Sequence, residues 1–112
     1  MKSSLSGKRC TPCKGGAEPL SPERVLHSMS EVPDWSADTE VSVIARTYDC
    51  RNFKRALAFV NRVADLAEAE GHHPDIFIHD YRNVTISLTT HAIHGLSEND
   101  FIMAAKIDTL TR

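Results

Sequence analysis

Histidines are the residues through which this 112-residue chain could do chemistry: His27, His72, His73, His79, His91 and His94. All but His27 fall between positions 72 and 94. An imidazole gains and loses its proton near neutral pH, so it can act as a general acid or a general base. His72 and His73 stand between Gly71 and Pro74, just past a long helical pattern. The unpaired carbonyls at a helix C-terminus favour positive charge there. As an isolated pair they also read as a simple helix cap, with Pro74 as the stop. His91 tips the balance, because it ends a strand that an antiparallel arrangement can bring towards the same loop. Three imidazoles at one mouth make a better catalytic candidate than any one alone.

Zinc could be held by three histidines with water in the fourth position. Adjacent histidines diverge in extended chain, however, and neither His-x-His nor a helical His-x3-His spacing occurs among His72, His73 and His91. No metal is therefore expected. His79 and His94 read as polar residues near a strand and a turn, and His27 as part of an exposed helix face.

The elements that must position these groups follow from periodicity. Ser21-Pro22-Glu23 has the cap, first-position proline and acidic first turn of a helix start. Val25, Leu26 and Met29 then share a face up to about Ser30, and Pro33 and Asp34 end the helix. Trp35-Ser36 predicts a short strand turning back through Ala37-Asp38. From Val41 to Tyr48 apolar and polar residues alternate, the period of a strand. Asn52 caps the strongest helix, Phe53 to Glu70, whose apolar residues recur at spacings of three and four, and Gly71 suits the residue past its end. Phe59 and Leu66 broaden its apolar surface, which fits contact with another subunit or a crowded core. Ile76–Ile78 and Val84–Thr89 form a hairpin joined by Asp80–Asn83. Ser97 to Asp100 predicts a capping box at the start of a last helix. The order is α-β-β-α-β-β-α, an α+β fold with a four-stranded antiparallel sheet and three helices on one face.

Composition bounds the class. The chain suffices for one domain, here residues 21–112, and is 41% hydrophobic and 25% charged. Residues 1–20 are rich in Ser, Gly, Lys and Pro and read as a flexible lead-in. They carry a net +3, leaving −5 on the remainder out of −2 overall. An acidic body argues against nucleic acid as a partner. No run reaches the roughly 18 apolar residues of a membrane span, and no apolar stretch follows Lys2, Lys8 and Arg9, so a cytoplasmic protein without membrane contact is expected. Cys10 and Cys13 supply only half of a four-ligand zinc site and read as reduced thiols, as does Cys50.

The run Glu70-Gly71-His72-His73-Pro74-Asp75, then Tyr81, Val84, Leu88, Thr90-His91, Gly95-Leu96-Ser97 and Asp100-Phe101, resembles the pterin-4a-carbinolamine dehydratase family. The helix FKRALAFVNRVADLAEA, Trp35 at the start of the sheet and the leading Cys-x-x-Cys before Gly15-Gly16 are similar too, so the resemblance spans about residues 10–110. It implies the fold just derived, assembled as a homodimer or homotetramer. It implies a hydro-lyase that removes water from a 4a-hydroxytetrahydropterin, such as 4a-hydroxytetrahydrobiopterin, to give a quinonoid dihydropterin. The partner enzyme would be an aromatic amino acid hydroxylase whose pterin is thereby recycled, and no cofactor is needed.

By the same resemblance His72, His73 and His91 form the catalytic set. His73 is the first choice for the acid-base residue, His91 the second, and His72 orients the pterin. Pro74 shapes the loop, Trp35 closes one wall, and Asp100 hydrogen-bonds the site. For Trp35 a core role, and for Asp100 the capping box, carry similar weight. The alternative function is a non-catalytic scaffold of the same fold, of the transcriptional coactivator or Rubisco assembly type. The complete histidine set favours the enzyme.

Overall fold

Residues 4–11 and 18–111 are described by the structure, a computed structural model. A 3₁₀ turn at Ser4–Gly7 leads to α1 (Pro22–Met29), β1 (Ser36–Ala37), β2 (Ile44–Asp49), α2 (Phe53–Glu70), β3 (Asp75–His79) and β4 (Asn83–Leu88). A second 3₁₀ turn, His91–Ile93, precedes α3 (Glu98–Thr109). The sheet is antiparallel throughout, in the order β1-β2-β4-β3.

Alternation decides which face the helices cover. Ile44 and Tyr48 of β2, with Val84, Ile86 and Leu88 of β4, are buried in one cluster with Val25 of α1, Val63 of α2 and Phe101 of α3. The opposite face carries Thr47, Thr85 and Phe77, and Phe77 is 63% exposed. The three helices thus pack on one face, as the pattern predicts. Each long helix begins as its sequence requires. Asn52 Oδ1 accepts the Arg55 N–H at 2.8 Å, and Ser97 with Asp100 forms a capping box. Helix α3 is buried on nearly every side from Asn99 to Ala105, so it is the central helix of the core.

Two expectations change, and an alternative left open on α2 is decided. Strand β2 starts at Ile44 rather than Val41, because the Asp38 carboxylate accepts the N–H groups of Ser42 (2.7 Å) and Val43 (3.1 Å). That turn puts Val41 at φ 57° and takes residues 41–43 out of the strand. On α1, Val25 is buried but Leu26 is 71% exposed. On α2, Phe59 belongs to the chain's own core, with its ring 4.8 Å from that of Tyr48, and Leu66 packs against the same cluster. The large apolar side chains that α2 exposes are Phe53 and Leu57.

The lead-in also packs where it is described. Leu5 is buried against α3, the Cys10 N–H donates to Glu70 Oε1 (2.8 Å), and the Thr11 N–H donates to Asn99 Oδ1 (2.9 Å). One apolar anchor and two side chains that satisfy its backbone are enough to lay a polar segment on the body, which composition alone does not reveal.

Candidate active site

Helix α2 ends because Gly71 turns left-handed, at φ 67°, with its N–H bonded to the Ala67 carbonyl. That conformation suits glycine and ejects the next residues from the helix axis. His72 swings inward and is mostly buried, with an 11% exposed side chain. His73 stays at the surface beside Glu68, also on α2, whose Oε2 lies 2.5 Å from His73 Nε2.

The second half of the site comes from the segment joining β4 to α3. Thr90 and Gly95 bridge each other, so residues 91–94 form a closed loop. His91 opens the 3₁₀ turn within this loop and is exposed, and His94 is exposed at φ 54°.

Asp100 joins the two halves. It is fully buried in the first turn of α3. Its Oδ1 lies 2.7 Å from His72 Nε2, while Oδ2 accepts from Thr90 Oγ1 (2.8 Å) and from the Ser97 N–H (2.9 Å). Thr90 Oγ1 is also 2.7 Å from Ser97 Oγ. The carboxylate therefore serves as capping box and as partner of His72 together. With Nε2–H donating to Asp100, the other ring nitrogen of His72, Nδ1, is the one available to a ligand. A buried carboxylate with each oxygen engaged holds the ring in one orientation.

Of the residues expected at the site, the structure brings His72 and Asp100 into contact. His73 and Pro74 follow His72 directly, and His91 follows Thr90, so one network anchors both histidine-bearing loops. Trp35 is not brought to them. It is 3% exposed beside edge strand β1, whereas His72 precedes β3 at the opposite edge. Three strand spacings of about 4.8 Å separate those edges. Its indole N–H donates to Asp108 Oδ1 at 3.0 Å and its ring meets Tyr48 edge-on, so it is a core residue in this chain.

Glu68, Thr90 and Ser97 were not singled out from the sequence as site residues. Glu68 was findable as a carboxylate one helical turn before the histidine pair. The pairing of Thr90 with Asp100 depends on the fold. Beside the network, Lys106 Nζ lies 3.0 Å from Glu70 Oε2. The Cys10 N–H and then Lys106 hold the Glu70 carboxyl below its usual range. Burial first, then Glu70, pushes the Cys10 thiol up to about 12, so it is protonated rather than reactive. Cys13 lies outside the described residues. Among the described residues, no three His, Cys, Asp or Glu side chains are grouped to hold a metal ion.

Comparison with known proteins adds the family. The model of the pterin 4 alpha carbinolamine dehydratase family matches residues 18–110. A protein of Halorhodospira halophila, provisionally named pterin-4-alpha-carbinolamine dehydratase, is 49% identical over 107 residues, 96% of this chain and 97% of the relative. A Methylococcus capsulatus protein of the same provisional name is 47% identical, covering 96% and 93% of the two chains. Among solved structures, a Brucella melitensis protein described as a transcriptional coactivator/pterin dehydratase superposes with a TM-score of 0.78 at 26% identity. That alignment covers 85% of this chain and all of the other.

Proposed function

Because this chain belongs to the pterin 4 alpha carbinolamine dehydratase family, we propose that it catalyses the loss of water from a 4a-hydroxytetrahydropterin. The observation that carries the reading is the buried Asp100, which bonds His72 and Thr90 and so ties the His72-His73 loop to the loop of His91.

Dehydration of a carbinolamine needs an acid to protonate the departing hydroxyl and a base to take the proton of the adjacent ring nitrogen. Water and the quinonoid dihydropterin then form without any change of oxidation state between enzyme and substrate. His73, exposed and close to Glu68, is suited to proton exchange at the hydroxyl. His91, exposed at the start of its turn, serves as the second acid-base group. His72, fixed by Asp100, orients the pterin through its free ring nitrogen, and Pro74 sets the course of the loop. The protein then returns the pterin of an aromatic amino acid hydroxylase to use, in the cytoplasm and as a homo-oligomer.

The test is rapid-mixing absorbance of freshly generated 4a-hydroxytetrahydropterin. Wild type should accelerate dehydration, and His73→Ala should lose a factor on the order of 10²–10⁴. Full retention in His73→Ala with loss in His91→Ala moves the principal role to His91. No acceleration by folded wild type rejects the reading.

A scaffold is the second reading, favoured by the coactivator in the description of the Brucella melitensis protein and by the exposed Phe53 and Leu57 of α2. A scaffold role would survive the His73→Ala and His91→Ala substitutions and fail on Leu57→Lys, the reverse of the enzyme's pattern.

A further inference from the structure

Away from His72, His73 and His91, a pocket of about 440 Å³ opens where the end of β2 meets the first half of α2 and the end of α3. Helix α2 has 18 residues and so is about 27 Å long. The pocket lies at its N-terminal half and His72 just past its C-terminus, which makes them two separate places.

Arginine dominates the pocket lining: Arg46, Arg51, Arg55 and Arg62 all border it, with Tyr48 and Phe59. Arg46 is neutralised by Asp108, 2.7 Å away. Arg51, Arg55 and Arg62 have no ion-pair partner among the described residues. The one carboxylate in the lining, Asp49, is already engaged by Arg82 (2.9 Å) and by the Arg51 N–H (2.8 Å). Three like charges on one concavity repel each other, and the Asp49 carboxylate beside Arg51 offsets them only in part.

The turn that presents Arg51 is itself strained. Arg51 sits at φ 76°, a conformation unfavourable for a residue with a side chain, and the Asp49 carboxylate holds it there. Such strain at the mouth of a charged pocket is characteristic of binding sites. The amide groups of the first turn of α2 add positive potential on the same side. Guanidinium forks match phosphate oxygens in pairs, and the volume is that of a small-molecule site.

We propose that this pocket binds a small phosphate monoester, its phosphate held by Arg51, Arg55 and Arg62 and its organic part set towards Tyr48 and Phe59. The ligand is an anion distinct from the substrate of the histidine site. A small molecule is favoured over a nucleic acid because these arginines border a single concavity while residues 21–112 carry net negative charge.

Calorimetric titration of the full-length protein with phenyl phosphate tests the assignment, with phenol at matched ionic strength as the neutral comparison. Saturable binding is expected, at least tenfold weaker for Arg55→Gln/Arg62→Gln and unchanged for His73→Ala. Both arginines are exposed, so the double variant should fold, which circular dichroism checks. Arg51→Gln, outside the helix, provides the same reading should the double variant not fold. Absence of saturable binding by folded wild type overturns the proposal. So does binding that the arginine substitutions leave unchanged, or phenol binding as tightly as phenyl phosphate.

Discussion

His72 and Thr90 hold opposite oxygens of one buried carboxylate, at 2.7 and 2.8 Å from Asp100 Oδ1 and Oδ2. The same carboxylate caps α3 through the Ser97 N–H. A single group thus couples the start of the core helix to both histidine-bearing loops. Asp100→Asn keeps the shape but gives the His72 ring an amide in place of a carboxylate. Dehydration should slow by about 10- to 100-fold with a stability loss of only about 1–2 kcal/mol. Asp100→Ala leaves the Thr90 hydroxyl and the Ser97 N–H without this acceptor, and should cost about 3 kcal/mol. Rate and denaturant midpoint, measured on both variants, separate the two effects.

Asp108 is a similar hub on the other side of the core. Its Oδ1 accepts from the Trp35 indole, from Arg46 and from the Tyr48 hydroxyl. Burial, and then the bond to Asp108, pushes the Tyr48 phenol above its ordinary pKa. Asp108→Ala leaves the Trp35 and Tyr48 donors without this acceptor and Arg46 with the longer ion pair to Asp34 (3.6 Å), a loss of about 3 kcal/mol. Trp35 is the sole tryptophan, so its fluorescence should report the change directly, with a shifted emission maximum in the variant.

Acid should loosen the N-terminal strap. The Glu70 carboxyl has a lowered pKa because the Cys10 N–H and Lys106 stabilise its charged form. A group with a depressed folded-state pKa contributes its full stability above the unfolded value, about 4.3. That contribution is lost as pH falls from there through the folded value. The protection of the Cys10 amide, its exchange relative to an unstructured amide at the same pH, should therefore fall below about pH 4.3 in wild type. In Glu70→Gln that protection should be lower already at neutral pH, because the ion pair to Lys106 is gone.

Two glycines should fail for different reasons. A Cβ on Gly95 would lie 2.8 Å from Pro19 Cβ, so Gly95→Ala must push the strap off the loop that carries His91. About 1–3 kcal/mol is expected from the overpacking. A Cβ on Gly71 meets nothing within 4 Å, and there the cost, about 1 kcal/mol, comes from the left-handed backbone alone. Gly71→Asn should recover part of that loss, whereas Gly95→Asn should be worse than Gly95→Ala. Thermal unfolding of the four variants decides it.

Local spacing was enough to read α2 from cap to Gly71, because Asn52, the apolar period and the terminating glycine act within a few residues of one another. It was enough for the hairpin of β3 and β4 and for the capping box as well. It misplaced the start of β2, where a side chain, Asp38, takes the backbone N–H groups that a strand would use. The lead-in looked loose because its anchors, Glu70 and Asn99, lie 60 and 88 residues away from Cys10 and Thr11. The histidines could be named from the sequence through the family resemblance. That Asp100 joins His72 to Thr90, and that Trp35 goes to Asp108 instead of the site, are facts of topology invisible to spacing.

The strand order carries a consequence for how the chain is made. Strands β2 and β3 never touch; each finds its partner in β4, which is translated after both. Until residues 83–88 have left the ribosome, the sheet consists of at most the two-residue ladder between β1 and β2, and Asp100 comes later still. A nascent chain halted before that point holds the His72-His73 pair with no sheet beneath it and no carboxylate to orient it. The sheet therefore waits on β4, and the orientation of the histidine pair waits on Asp100.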